Sequence, residues 1–397
     1  MATLDPPHDD ASSRLRLVSV SLSGFKAVKH VSQIPIGELT LVIGRNGAGK
    51  SSFVEAIQWL QESMLLGLQK ATEDRFRRYE DLKNKRSTAT KLHLEFAGPE
   101  QPIQYDLEVR KAVGRHSPIV FDEELRIRST RAQRKLIWTN KGSRGPTFRS
   151  VKNATAERDA DRLALATAPR RAGATVTNIR AFLRNTVILR LSPIAMTSSV
   201  PLDQRARGAL LDEEGRGLPG LLARMTKAQR ARVRSRVQRV IEGIEDVRVV
   251  ETERGRGYFA AEERMMYPGG STSFEIPAWM LSEGTRRMTA LFALMAIEPA
   301  PSLIIIEEIE NGLDPWTLEF VLQELREATE RGIQIVLTTH SPFLLDHVTP
   351  QEVVVVRRER GQSTYERVTE FEDVVRYDGV VAPGAMYLSG YYAPKGK

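Results

Sequence analysis

The chain has 397 residues, 41% hydrophobic and 27% charged, enough for one large domain with an insertion, or for two domains. It contains no cysteine, which excludes disulfides, thiolate zinc sites and cysteine nucleophiles, and its six histidines show no metal-ligand spacing. The net charge of +8 is concentrated: Arg126 to Arg190 holds 16 Lys and Arg against only Glu157, Asp159 and Asp161, a balance of +13 that leaves −5 for the rest.

Met1 to Arg14 is polar, carries Pro6 and Pro7 and has no apolar segment of a secretion signal, so a disordered leader and a cytoplasmic location are expected. No apolar run approaches the length of a membrane span, and no membrane partner is expected. Leu15 to Leu22 and Glu38 to Ile43 predict strands from their β-branched content and Gly/Pro punctuation. Gly49 to about Lys70 predicts a helix with Phe53, Ala56, Ile57 and Leu60 on one face. Short alternating segments follow at Leu92–Phe96, Ile103–Val109, Leu125–Ile127, Leu136–Trp138 and Phe148–Val151. With turns at Gly98-Pro99, Gly114 and Gly142 to Pro146, they predict an antiparallel β layer. Asn153 to Leu191 and Leu218 to Ile244 read as arginine-rich helices, and Arg224 to Arg239 carries seven basic residues and no acid. After Ser282 come a helix to about Ile297, a strand at Leu303–Ile306, a helix at Trp316–Thr329 and a strand at Ile333–Leu337. That alternation predicts a parallel sheet with crossover helices.

Gly44-Arg45-Asn46-Gly47-Ala48-Gly49-Lys50-Ser51 fits G-x-x-x-x-G-K-[ST] between an apolar strand and a helix. In such a loop the glycines turn backbone N–H groups inward around phosphate, helped by the helix dipole. Lys50 is expected to reach the β- and γ-phosphates of ATP and the Ser51 hydroxyl to ligate Mg²⁺, with Ser52 in the nucleotide-binding set. The strand Leu303–Ile306 ends in two carboxylates, of which Glu307 is assigned to the metal and Glu308 to the attacking water. A second polar strand end supplies His340 as a γ-phosphate sensor. Leu281-Ser282-Glu283-Gly284-Thr285 precedes a helix; locally Ser282 reads as an N-cap, with Arg286 and Arg287 on a solvated face. The order of phosphate loop, capped helix, acidic strand end and histidine gives Ser282 its second reading, closure over the γ-phosphate held by another copy of the chain.

These residues resemble an ABC-type ATPase head of the branch shared by SMC, RecF and overcoming-lysogenisation-defect (OLD) proteins. Gly44–Ser51 resembles Walker A, Leu281–Thr285 the LSGGQ signature in S-x-G form, and Ile304–Glu308 Walker B. Asn311-Gly312-Leu313-Asp314 resembles the D-loop and His340 the switch histidine, while Leu211 to Gly215 and Leu218 are similar to a segment of OLD-like bacterial ATPases. The resemblance implies an α/β fold, an ABC-type P-loop NTPase head with an antiparallel β layer and an Arg-rich helical insertion. It implies ATP and Mg²⁺ as cofactors, bound by Gly44, Asn46, Gly47, Gly49, Lys50, Ser51 and Ser52, with Ser282, Gly284 and Asp314 from a partner head. The expected division is a leader at 1–14, head at 15–110, basic insertion at 111–248 and head again at 249–397. Glu307 replaces the usual Walker B aspartate and Thr285 the usual glutamine, so slow turnover is expected. No Q-loop residue is assigned; Gln133 and Gln204 are candidates only.

The 232-residue interval from Lys50 to Ser282 exceeds the roughly one hundred residues usual for transporter subunits, which disfavours that class. The Arg126–Arg190 segment is suited to neutralising nucleic-acid phosphates; solvated helices or an acidic protein partner are the alternative. About forty residues follow Val356, too few for the Toprim domain of OLD nucleases, so cutting or toxicity is expected of a separate effector. The expected function is that of an ATPase sensor in bacterial anti-phage defence. A RecF-like repair ATPase and an SMC-like DNA clamp are the other readings.

Overall fold

The computed structural model describes residues 15–99, 101–112, 117–128, 133–139, 146–148, 161–169, 172–202, 210–377 and 379–392. The expected leader, the turns at Gly114 and Gly142, the residues 149–160 and Gln204 lie outside them.

Three sheets organise the described residues. Seven antiparallel strands run in the order Val28–Pro35, Arg16–Phe25, Ala89–Ala97, Pro102–Lys111, Pro118–Arg128, Gln133–Thr139 and Pro146–Phe148. Six strands form the central sheet, in the order Gln362–Arg367, Val353–Glu359, Leu39–Ile43, Gln334–Thr339, Leu303–Ile306 and Thr186–Leu189. Every pairing in it is parallel except that of Gln362–Arg367. The third sheet joins Arg256–Tyr267 to Val200–Pro201, Ile244–Thr252 and Gly270–Pro277.

The central sheet is covered on both faces, which is why its inner strands Leu39–Ile43, Gln334–Thr339 and Leu303–Ile306 are buried throughout. Successive side chains alternate sides. Val42, Ile305 and Val336 pack with the helix Lys50–Leu66 and the antiparallel layer in one core. Leu41, Ile43, Ile304, Ile306 and Leu337 pack with the helices Glu283–Ala296 and Pro315–Glu330 in another. The α/β class with its antiparallel layer is therefore as expected.

Several elements differ from expectation. The helix predicted from Gly49 to Lys70 stops at Leu66, because Gly67 takes φ 95°, where a Cβ would also lie 2.5 Å from the Asp161 carboxylate; Leu68–Phe76 continues separately. Thr186–Leu189, read as helix, is a wholly buried strand: Thr186, Val187 and Ile188 are β-branched or apolar and lie in register with Leu303 to Ile305. The helix predicted for Leu218 to Ile244 breaks at Met225-Thr226, where Thr226 and Gln229 form a capping box for Lys227–Val240. The strands between Ile244 and Pro277 have no counterpart in the sequence reading.

Candidate active site

Parallel register brings four strand ends to one edge. Ile43 pairs with Thr339, Ile306 with Leu337 and Ile306 with Leu189, so Gly44, His340, Glu307 and Arg190 all follow at the carboxyl ends of neighbouring strands. Such an edge is where open α/β sheets bind ligands.

The phosphate loop leads into Lys50–Leu66, whose N-cap Gly49 carries no side-chain cap. Gly49 sits at φ 121°, and a Cβ there would come within 2.4 Å of Ser363 Oγ, so only glycine fits. Two residues that sequence reasoning missed brace the loop: the Ser363 hydroxyl donates to Ala48 O at 2.6 Å and the Tyr365 hydroxyl to Gly49 O at 2.6 Å. Arg358 donates to Gly47 O at 3.3 Å. Lys50 is buried and its Nζ donates to Gly44 O at 2.6 Å. Burial lowers the Lys50 pKa, and Glu308, Glu310 and Glu307 oppose that shift. Asn46 is exposed, and Ser52 is buried in the first helical turn.

Glu307 is 6% exposed and accepts from both sides. Ser51 Oγ donates to its Oε2 at 2.8 Å, and Arg190 donates to its Oε1 at 2.7 Å. The adjacent oxygens of Ser51 and Glu307 suit a hard cation, since Mg²⁺ takes one or two protein oxygens plus phosphates and water. Among the described residues no group of three or more His, Cys, Asp or Glu could hold a metal, so such a site would need the nucleotide's phosphates to complete it.

Glu308 has φ 51°, a left-handed backbone that non-glycine residues adopt at a cost of about 1 kcal/mol or more. The conformation aims its N–H at Thr338 Oγ1, 3.1 Å away, while Asn311 donates to its carboxylate at 2.7 Å. His340 is tied to Glu310, whose Oε1 lies 3.0 Å from the His340 backbone N and 3.2 Å from Nδ1. Neither Glu310 nor Arg190 is singled out by the sequence reading. The available signal for Arg190 is its position directly after an apolar run, the same pattern that marks Glu307 and His340.

Ser282, Gly284 and Asp314 gather on a second surface. Ser282 caps Glu283–Ala296, accepting from Thr285 N at 3.1 Å. A Cβ on Gly284 would lie 2.7 Å from Gly312 O, so the S-x-G turn and the Asn311–Asp314 turn pack backbone to backbone. The carboxylate of Asp314 caps the helix Pro315–Glu330, accepting from Trp316 N, Thr317 N and the Thr317 hydroxyl. Arg286, expected in solvent, is buried and donates to Ala278 O at 2.8 Å.

Fold and site define the class: a P-loop head of the ABC and SMC type, in which a parallel sheet carries the phosphate loop beside an antiparallel layer. Residues 39–346 match the family described as "AAA domain, putative AbiEii toxin, Type IV TA system", and the chain belongs to that family. It is 34% identical over 82 residues to the energy-coupling factor transporter ATP-binding protein EcfA2 of Mycoplasmopsis synoviae, covering 21% of this chain and 25% of that one. Over 64 residues it is 33% identical to a putative ABC transporter ATP-binding protein of Caldanaerobacter subterraneus, 16% of this chain and 26% of that one. The chain thus spans about a quarter of the curated relatives it matches. Among solved structures, an SMC head bound to the C-winged helix domain of ScpA matches with TM-score 0.54 and 17% identity, over 88% of this chain and 97% of that one. An Smc head with an extended coiled coil, bound to the C-terminal domain of ScpA derived from Pyrococcus furiosus, matches with TM-score 0.55 and 15% identity, over 92% and 100%. Both likenesses are of fold. Among the described residues no helix is long and apolar enough to cross a membrane.

Proposed function

We propose that the chain is an ATPase that dimerises head to head on ATP and acts as a sensor or regulator in bacterial anti-phage defence, beside a separate nuclease or toxin effector. The observation that carries the ATPase reading is the convergence of Lys50, Ser51, Glu307, Glu308 and His340 on one sheet edge. In this reading Ser51 and Glu307 hold Mg²⁺, which supplies charge neutralisation for the phosphates. Lys50 binds the β- and γ-phosphates, Glu308 orients and deprotonates the attacking water, and His340, held by Glu310, contacts the γ-phosphate. In this reading the Ser282 and Gly284 surface belongs to a partner's site; the Ser282 hydroxyl itself bonds to Thr285 in its own turn.

The defence role rests on the OLD-like wording of Ser-Glu-Gly-Thr and Thr-His-Ser-Pro, and on a family description that includes a toxin–antitoxin system. A RecF-like or SMC-like DNA function draws on the shared head fold. An adjacent nuclease or toxin gene favours defence over it. Nucleic acid remains a proposed ligand of the Arg126–Arg190 segment, through cations other than Arg126, Lys135 and Arg190, which pair with Asp106, Glu124 and Glu307. Such binding weakens steeply with salt.

Glu308→Gln keeps the fold and the phosphate contacts while removing the base. With ATP and Mg²⁺ the variant is expected to run as a dimer by light scattering and the Lys50→Ala variant as a monomer. A Glu308→Gln protein that binds ATP yet stays monomeric defeats the sandwich reading.

A further inference from the structure

Arg190 is the one cation hydrogen-bonded to the carboxylate proposed to hold the metal, among the described residues. Its side chain is half-exposed, whereas that of Glu307 is 5% exposed. A second carboxylate stands ready for the same guanidinium: Glu213 Oε1 lies 4.0 Å from Arg190 Nη1. The two chain segments are also joined through their backbones, with Arg190 N donating to Glu213 O at 2.9 Å and Ser192 N to Glu214 O at 3.1 Å. Glu213 is anchored in turn to the helix behind the phosphate loop, accepting from Gln58 at 2.8 Å, and to the following helix Leu68–Phe76, accepting from Arg75 at 3.2 Å. A row of charges therefore runs Glu307, Arg190, Glu213, Arg75, Glu62 along the flank of Lys50–Leu66.

Both oxygens of Glu307 have a donor: Ser51 on Oε2 and Arg190 on Oε1. A divalent cation between Ser51 and Glu307 draws on the same carboxylate charge that holds the guanidinium, and two cations on one carboxylate repel each other. The half-exposed Arg190 can turn to Glu213 without crossing the core. We propose that Arg190 is a positioning residue that competes with the nucleotide's metal for Glu307, and that metal binding hands its guanidinium to Glu213. Metal occupancy is thereby passed to the Asp212–Gly217 turn. Asp212 holds that turn through the N–H groups of Glu214, Arg216 and Gly217, and it leads into the helix Leu218–Arg224, which packs on the Ser282-capped helix.

The inference rests on the reading of Ser51 and Glu307 as metal holders and is tested by binding, not turnover. The probe is Mn²⁺, titrated by electron paramagnetic resonance into the full chain with saturating ADP. Nucleotide affinity in EDTA is measured beside it. Arg190→Gln is expected to tighten Mn²⁺ about threefold to fivefold, the scale of a half-exposed ion pair, with metal-free nucleotide affinity unchanged. Glu213→Gln removes the alternative partner and is expected to weaken Mn²⁺ by a similar factor. The double variant is expected to behave as Arg190→Gln alone. Unchanged or weaker Mn²⁺ binding by a folded Arg190→Gln protein overturns the proposal, as does a Glu213→Gln protein with wild-type affinity. Wild-type protein that binds no nucleotide at all refutes the ATPase reading instead, before Arg190 is in question.

Discussion

The parallel and antiparallel sheets each place a glutamate almost wholly out of water, and the two carboxylates are treated in opposite ways. Glu307 sits at a strand end, between the Ser51 hydroxyl and the half-exposed Arg190 guanidinium. Both are side chains that can move. Glu123 sits inside the strand Pro118–Arg128, accepting from the Tyr105 hydroxyl at 2.9 Å and from the backbone N–H groups of Ala164 and Leu165 at 2.6 and 2.8 Å. Backbone donors are fixed by the fold. Burial alone therefore does not mark a ligand site; exchangeable donors at an open strand end do.

The largest expected effect on ligand binding separates these two roles. Glu307→Ala is predicted to cost on the order of 100-fold in Mg²⁺-supported ATP binding, the scale seen when a group that orients or holds a metal is removed. Its thermal stability without ligand is predicted to stay close to wild type, because Arg190 turns to water or to Glu213. Calorimetric titration and a melting curve on the same sample check both. A large loss of stability with unchanged binding makes Glu307 structural and erases the contrast.

Glu324 tests the contrast from the structural side. It is 1% exposed, and the arginine-rich helix Lys227–Val240 grips it with Arg236 and with Arg239, whose Nη1 is 2.9 Å away. Arg232 pairs with Glu298 at 2.8 Å. Glu324→Ala leaves the largely buried Arg236 without its carboxylate, and breaking such a pair costs about 3–5 kcal/mol. Urea denaturation is predicted to register that loss while ATP affinity, per folded molecule, is unchanged.

What the sequence makes legible follows the same division. Gly44–Ser51 and Leu303–Glu308 are readable because each is a local pattern, an apolar strand ending in chemistry. Arg190 and Glu213 are not, because their meaning arises only when Thr186–Leu189 pairs with Leu303–Ile306. That four-residue strand lies in a stretch whose arginines suggest helix, and it is too short for periodicity to arbitrate. Ser363 and Tyr365 reach the phosphate loop across more than 300 residues of chain. The hairpin Arg256–Tyr267 with Gly270–Pro277 is exposed on both faces near its tip, so it has no alternation to read. The charge count is incomplete in one respect. The run from Arg224 to Arg239 holds seven basic residues and no acid in sequence, yet Arg232, Arg236 and Arg239 are engaged by Glu298 and Glu324, acids too distant in sequence to be counted with it.

Glu123 carries the smallest and most specific prediction, one of pH. Burial outweighs its hydrogen bonds and raises its pKa from 4.5 to about 7. Because the folded value lies above the unfolded one, the native state holds this proton more tightly. The resulting stabilisation is complete below about pH 4.5 and is lost as pH rises through 7. The shift corresponds to a loss on the order of 3 kcal/mol. Glu123→Gln fixes the site in a neutral form and keeps an acceptor for one of the two backbone donors; the other is left unmet, at a cost of about 1 kcal/mol. The variant is thus expected to be the less stable protein at pH 5 and to have a flatter profile between about pH 5 and 8, so that the two curves converge or cross at the alkaline end. Denaturation curves across that range decide it, and parallel profiles would show that the proton is not held at Glu123. The Glu307→Ala protein is expected to retain the slope, because that substitution leaves Glu123 and its donors in place.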